Sequence, residues 1–505
     1  MDIAHITTII RDIVYAECES LRDRIRNDVR DTLINESIRL TPRPVRNTAS
    51  PLIQPPVHGS GSLLGYLSSF SKGTITRFRS DIQQQALEAV RRRQNHTLVV
   101  LPTGGGKSLL WMLPAATFFH DLVTIIIVPF TALKHDIQRR CADIALPCAE
   151  WSQGQSLDAP LAPLAPLVLV PLEKVADSGF QRFARMQARE GRLAQIVIEE
   201  VHLTITAQSY RKDLEFLNEL FVFNVPVLLL SATVPPHAVD AIKSCLGITR
   251  LDILRAPTSI PNLRIEVHLL GDKEECLAAT YDRVLSLLPT LEDTNGRGII
   301  ICRTKTDAAA VATKLGLEAY HGQLDGAAQA RLHGMWVDGH QKVMPATTAF
   351  GSGLDFARVR FIIHYQLSYS MWDYIQEIGR AGRDGLTAYA IMYADRSLQP
   401  TAPDPDLQGV NVLTDMVFRE KNCRRLPIST HNDGVPVNCL AMSELCDLCT
   451  AHSTAKDARH VIYISIYFTD KSLGRNAKQT CWMTTMCPLG SSVHGVSIFS
   501  RWDGW

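Results

Sequence analysis

The chain has 505 residues, 46% hydrophobic and 20% charged, with a formal net charge of +1. That length and composition suit roughly three domains with buried cores. The longest apolar runs, such as "LVTIIIVPF" and "VPVLLLSA", are far too short to cross a bilayer, and "MDIAHITTIIRDIVYAE" lacks the basic leader and cleavage site of a secretory signal. Twelve cysteines without such a signal point to a reducing compartment and to metal binding over disulfides. Near-neutral charge leaves nucleic acid open as a partner, through a local basic groove only.

Residues 1–36 carry Ile10, Val14, Leu21, Ile25 and Val29 at helical spacing, which predicts an amphipathic helix packed on its own protein. Residues 37–65 are rich in Pro, Gly and Ser and read as a linker. From Thr97 onward short β-rich runs recur: "TLVVLP", "TIIIVPF", "LVLVP", "IVIEE" and "VLLLSAT", then "GIIICRT", "VMPATT", "FIIHY" and "YAIMY". Runs apolar on both faces and separated by helical stretches require parallel sheets covered by helices. Two α/β domains are expected, at 66–255 and 256–400, joined near Arg255 to Asn262. Pro345 falls inside a presumed strand, where it removes a ladder hydrogen bond. The run Arg91 to Arg93 reads as a solvated helix end.

"VVLPTGGGKSLL" places Thr103, Gly104, Gly105, Gly106, Lys107 and Ser108 between a strand and a helix. Glycines let backbone N–H groups curl around phosphate oxygens, and the helix N-terminus adds a favourable dipole. Lys107 is placed to reach the outer phosphates of ATP and Ser108 to ligate Mg²⁺, although Leu101 stands where the Walker pattern has its first glycine. "IVIEEVHL" ends a later strand on two carboxylates. Alone they read as a solvated strand end; beside a phosphate loop, Glu199 faces the metal, Glu200 is the base toward water, and His202 relays the state of the site.

Around these two motifs lies an ordered set that resembles the RecQ family of superfamily 2 DNA helicases over about residues 70 to 450. "FRSDIQQQAL" looks like that family's adenine-reading segment, which assigns Arg79 and Gln83 to the base, with Gln83 one place later than usual. "VPFTALKHDIQ", "LVLVPLEKV", "SAT", "RAPTSIPNLR", "YHGQLD", "TTAFGSGLD" and "QEIGRAGRDG" follow in the family's order. The resemblance implies two RecA-like domains in tandem, ATP-driven 3′-to-5′ unwinding of single-stranded and duplex or branched DNA, and work in repair and recombination on nuclear chromosomes. It implies that Gly353 and Asp355 belong to the nucleotide site, that Arg383 is the arginine finger, and that Arg380 and Gln376 support it. It assigns Thr131, Thr304, Lys305 and Thr347 to strand phosphates, each of them equally readable as an ordinary helix residue.

Residues 401–450 hold Cys423, Cys439, Cys446 and Cys449, four thiolates of the kind a closed structural Zn²⁺ site uses. The RecQ resemblance places a zinc module here, although the Cys439–Cys446 gap is wider than the family's usual pair spacing. His431 reads as a loop residue and not a ligand. Beyond Ala451 the resemblance stops, and 451–505 is a tail of unknown structure. Glu199 departs from the Asp of most RecQ relatives by one methylene, so metal binding is expected to survive with slower hydrolysis. The segment after His202 lacks the family's tryptophan and keeps Tyr210 and Arg211, which implies weaker coupling of DNA to ATP. These departures raise an alternative: a degenerate module that holds ATP and DNA with little unwinding.

Overall fold

The computed structural model describes residues 61–151, 165–207, 211–351, 356–397, 407–442, 444–454, 465–467 and 480–482. The expected helix of 1–36, nearly all of the linker, Tyr210, Gly353, Asp355 and most of the tail lie outside them. From Thr450 a separate unit begins, in which Ser465–Tyr467 pairs antiparallel with Thr480–Trp482.

The first lobe of the preceding unit is built on seven parallel strands: β1 (Thr97–Val100), β2 (Val123–Val128), β3 (Cys148–Glu150), β4 (Leu167–Pro171), β5 (Leu193–Ile198), β6 (Val227–Ser231) and β7 (Asp252–Arg255). They lie in the order β3-β4-β2-β5-β6-β1-β7. The five central strands are those that the apolar runs predict. β3 and β7 escape sequence reading because they are edge strands with exposed or half-buried residues and carry no continuous apolar run. Helices on both faces complete two cores, one around Phe180, Phe183 and Leu220, the other around Trp111, Phe118 and Leu87.

A second lobe holds β8 (Leu263–Leu270), β9 (Arg297–Cys302), β10 (Val343–Ala346), β11 (Val359–Tyr365) and β12 (Ala388–Asp395), parallel in the order β10-β9-β11-β12-β8. Pro345 is resolved by this order. β10 is an edge strand, so the missing N–H breaks no ladder, while the Pro345 carbonyl accepts from Tyr320 N at 2.9 Å. The expected pair of RecA-like parallel-sheet domains is therefore what the chain builds.

The helix Asp81–Arg92 begins on Ser80, whose side chain accepts from Gln83 N, and carries Asp81 first and Arg91 and Arg92 last, as the helix dipole favours. Arg93 corrects the reading of a solvated arginine run. In a left-handed turn with φ 54°, it is buried, stacks over Phe119 at 5.3 Å and donates to Leu193 O. Burial lowers its pKa to about 10.

Between β7 and β8 runs the segment that joins the lobes, and the helix Arg425–Asp433 clasps it. Thr258 donates its N–H and its hydroxyl to Asp433 at 3.0 and 2.9 Å, Asn432 donates to Thr258 Oγ1 at 2.7 Å, and Arg255 donates to Asn432 O at 3.0 Å. Arg425 adds bonds to the carbonyls of Ile260 and Leu263. His431 sits on this helix and not in a loop, buried with its ring 5.2 Å from that of His237. Asp433→Ala strips partners from buried donors, which costs about 1–3 kcal/mol. Thermal or urea unfolding checks this, and an unchanged midpoint contradicts the clasp.

Candidate active site

Strands β5, β6 and β1 are neighbours in the sheet, so their carboxyl ends set three loops in a row. β1 leads into Thr103–Ser108, β5 into Glu199 and Glu200, and β6 into Ser231, Ala232 and Thr233. The phosphate loop needs its glycines: Gly104 and Gly106 have φ of +77° and +82°, and a Cβ on Gly106 would collide with the Gln83 amide. The helix Leu109–Ala116 follows with Ser108 at its N-cap and no side-chain cap bond; the N–H groups of Leu109 and Leu110 donate to the carbonyls of Gly106 and Lys107.

Lys107 is half-buried in this loop and donates to Leu101 O at 3.1 Å. Burial lowers its pKa, while Glu200 and Glu199 oppose the shift. Glu200 has a left-handed φ of 53°, a costly conformation for a non-glycine residue and one found where function demands it. Burial alone would raise its pKa, but the His202 hydrogen bond and the charges of His202, Lys107 and Arg380 hold it down to about 2. Glu199 behaves in the opposite way. Burial and the neighbouring Glu200 charge push it up to about 7, against the Trp111 hydrogen bond and the charges of Lys107 and Arg140.

The second lobe closes the site through the helix Met371–Ile378 and the turn after it. Gln376 Nε2 lies 2.8 Å from His202 Nε2 and 3.0 Å from Thr233 Oγ1. His202 Nδ1 is 3.0 Å from Ser231 Oγ and 3.2 Å from Glu200 Oε2. Trp372, from the second lobe, is buried in the first lobe's core and donates its indole N–H to Thr233 O and Oγ1 at 2.7 and 2.6 Å. Arg383 lies across the phosphate loop, its side chain 3.8 Å from where a Cβ on Gly104 would sit. Arg380, half-buried, lies near enough to Glu377 and Glu200 to feel both, and desolvation lowers its pKa to about 10. A cleft of about 1100 Å³ is lined by Lys107, Glu199, Glu200, His202, Gln376, Arg380 and Arg383 together.

Arg79 and Gln83 line the same cleft, but their side chains donate to the carbonyls of Gly104 and of Gly105 and Gly106, tying the loop to the preceding helix. Thr347 also lines it. Thr131 opens the helix Thr131–Asp143 as an exposed residue, and Arg211 braces the turn before it by donating to Pro129 O at 2.7 Å. Thr304 caps the helix Lys305–Leu315 through Asp307, and Lys305 donates to Gln323 at 2.7 Å. Sequence reasoning missed Trp372 and Trp111. A lone tryptophan inside "MWDYIQ" or "LLWMLP" has no spacing signal and reads as core.

The four cysteines converge despite the wide gap. Their sulfurs all lie within 4.8 Å of one another, and Cys423 Sγ and Cys439 Sγ are 3.6 Å apart. Thiolates about 2.3 Å from a tetrahedral Zn²⁺ stand about 3.8 Å from each other, so the donor set fits that ion. His431 is not in this group.

Two parallel-sheet lobes, a phosphate loop on one and paired arginines of the other across a cleft define a helicase-type nucleotide-binding core. Residues 80–242 match the DEAD/DEAH box helicase family, and residues 279–385 match the helicase conserved C-terminal domain. The chain is 31% identical over 418 residues to the putative ATP-dependent DNA helicase Q1 of Caenorhabditis briggsae, covering 76% of this chain and 65% of that protein. It is 30% identical over 342 residues to the RecQ-like DNA helicase blm-1 of Caenorhabditis elegans, covering 64% of this chain and 34% of that one. The RecQ resemblance drawn from the motifs is thus carried by these relatives as well, although the chain spans only part of their length. The solved structure of the DUF1998 helicase MrfA bound to DNA shares the fold, with a TM-score of 0.55 and 13% identity over 86% of this chain and 64% of that one. Among the described residues no helix is long and apolar enough to cross a membrane.

Gly379 tests the closeness of the lobes. A Cβ there would collide with Thr103 Oγ1 in the phosphate loop, although its φ of −63° suits alanine. Gly379→Ala should therefore push the arginines back by about 1 Å, a shift that costs roughly 10²-fold in rate. Nucleotide turnover with an unchanged melting curve checks it; wild-type turnover would show that the lobes need not meet this closely.

Proposed function

We propose that the chain is an ATP-dependent DNA helicase of RecQ type, a DNA-stimulated ATPase that drives 3′-to-5′ translocation and unwinding. One observation carries the reading: Lys107 and Glu200 of the first lobe and Arg380 and Arg383 of the second line a single cleft. The phosphate loop and Lys107 hold the triphosphate, and Glu200, ionised at neutral pH, accepts the proton of the attacking water. The γ-phosphorus gains that oxygen as its bond to the β-phosphate oxygen breaks, giving ADP and phosphate, and the two arginines offset the negative charge that spreads over the transferred group. Mg²⁺, held by Ser108 and Glu199, would supply further charge neutralisation.

His202 and Gln376 pass the state of that chemistry between lobes, whose relative movement advances the strand. Thr131 and Thr347 hold DNA phosphates in this reading, with Thr304 and Lys305 beside them. Asp355 and Gly353 complete the nucleotide site from the second lobe, and Arg79 and Gln83 exchange their loop contacts for the adenine. Zn²⁺ is held by Cys423, Cys439, Cys446 and Cys449. Chromosomal work in the nucleus, in repair and recombination, is the setting proposed for it.

A second reading, a module that holds ATP and DNA without unwinding, is favoured by Glu199, where a longer carboxylate occupies the metal-facing position, and by the missing tryptophan after His202. The ATPase rate with and without single-stranded DNA separates the two. The helicase reading expects stimulation by DNA, and it expects Glu200→Gln to lower turnover at least about 10²-fold while nucleotide still binds. Turnover unaffected by Glu200→Gln removes the assigned base. Purified protein should also contain about one zinc per chain, lost in Cys446→Ser; a zinc-free, fully folded protein contradicts the metal assignment.

A further inference from the structure

The extra methylene of Glu199 has a partner. Trp111, three residues past Ser108 and fully buried, donates its indole N–H to Glu199 Oε1 at 2.9 Å. We propose that Trp111 is a positioning residue, which pins one oxygen of Glu199 and so sets where the other meets Mg²⁺ at the phosphate loop. This rests on the ATPase reading above and deepens it.

Three observations build the case. Trp111 is packed into the first lobe's core with Leu110, Leu113 and Phe119, so its ring cannot follow a receding acceptor. Glu199 is itself only 7% exposed, and Oε1 faces the indole. A carboxylate takes several donors, so the indole bond leaves Oε2 available, and Glu199 lines the same cleft as Lys107 and Ser108. An aspartate would withdraw the carboxylate by one C–C bond, about 1.5 Å, and leave a buried N–H without its acceptor. Glutamate and tryptophan therefore form a matched pair. On this proposal Glu199→Asp weakens Mg²⁺ binding in this chain and does not improve it.

The experiment uses the full chain and fluorescent methylanthraniloyl-ADP titrated with MgCl₂, alongside melting curves without nucleotide. Trp111→Phe should weaken the apparent Mg²⁺ affinity about tenfold, as removal of an outer-shell partner does. Glu199→Asp should weaken it by a similar factor and lower the melting temperature by about 3 °C. The double variant should stay near tenfold and regain the lost melting temperature, because the two side chains act as one unit. Glu199→Gln keeps an oxygen for the indole, so it should melt like wild type while its Mg²⁺ dependence disappears. A hundredfold, additive loss in the double variant overturns the proposal, as does Trp111→Phe that melts lower with unchanged Mg²⁺ affinity. Lys107→Ala separates the levels: if it leaves nucleotide affinity intact, the phosphate-loop reading itself fails, whatever Trp111 does.

Discussion

His202 touches both Glu200 of its own lobe and Gln376 of the opposite lobe, and the arrangement of the cleft follows from that position. Its Nδ1 lies 3.2 Å from Glu200, and its Nε2 lies 2.8 Å from Gln376. Thr233 is the second crossing, receiving Gln376 and Trp372 on one residue. Glu200 and the helix Met371–Ile378 are thus joined through one imidazole. The strain in Glu200, left-handed at φ 53°, is maintained by this surround. Two stacked sheets with a passive gap would not need it.

The arginines depend on a second set of bonds. Arg360, buried beneath them, holds Asp384 through both carboxylate oxygens at 2.5 Å, and Asn262 donates to the carbonyls of Gly382 and Leu386. The turn that carries Arg383 is thereby fixed to β11 and to the start of the second lobe. The cysteine cluster reaches the same region. Arg424 and Arg425 follow Cys423, and Asp447 follows Cys446; Arg424 pairs with Asp447, Asp447 accepts from Val267 N, and Arg425 holds the inter-lobe segment. The residues beside the sulfurs thus tie the cluster to β8 and to the segment that joins the lobes.

The central strands, the phosphate loop and the acidic pair were legible in the sequence because each depends on local pattern: continuous apolar runs, glycines before Lys-Ser, carboxylates at a strand end. β3, β7 and β8 were not, since edge strands and a strand carrying Arg264, Glu266 and His268 show no such run. Pro345 was anomalous only until its strand proved to be an edge. Arg93 was misread because charge predicts exposure, and only the left-handed turn sends it into the core. The roles of Trp111 and Trp372 depend on partners 88 and 139 residues away, a pairing that one sequence does not disclose. Thr304 shows the converse: the motif assigns it to a phosphate, and its hydroxyl caps a helix.

The account stands on a triphosphate gripped from both lobes, and the affinity ratio for a non-hydrolysable ATP analogue over ADP measures that grip most directly. In wild type the analogue should bind more tightly, since only its γ-phosphate reaches the arginines. Arg383→Ala should collapse the ratio toward one while leaving ADP affinity unchanged. An unchanged ratio, or an equal loss for both nucleotides, would contradict the grip from the second lobe.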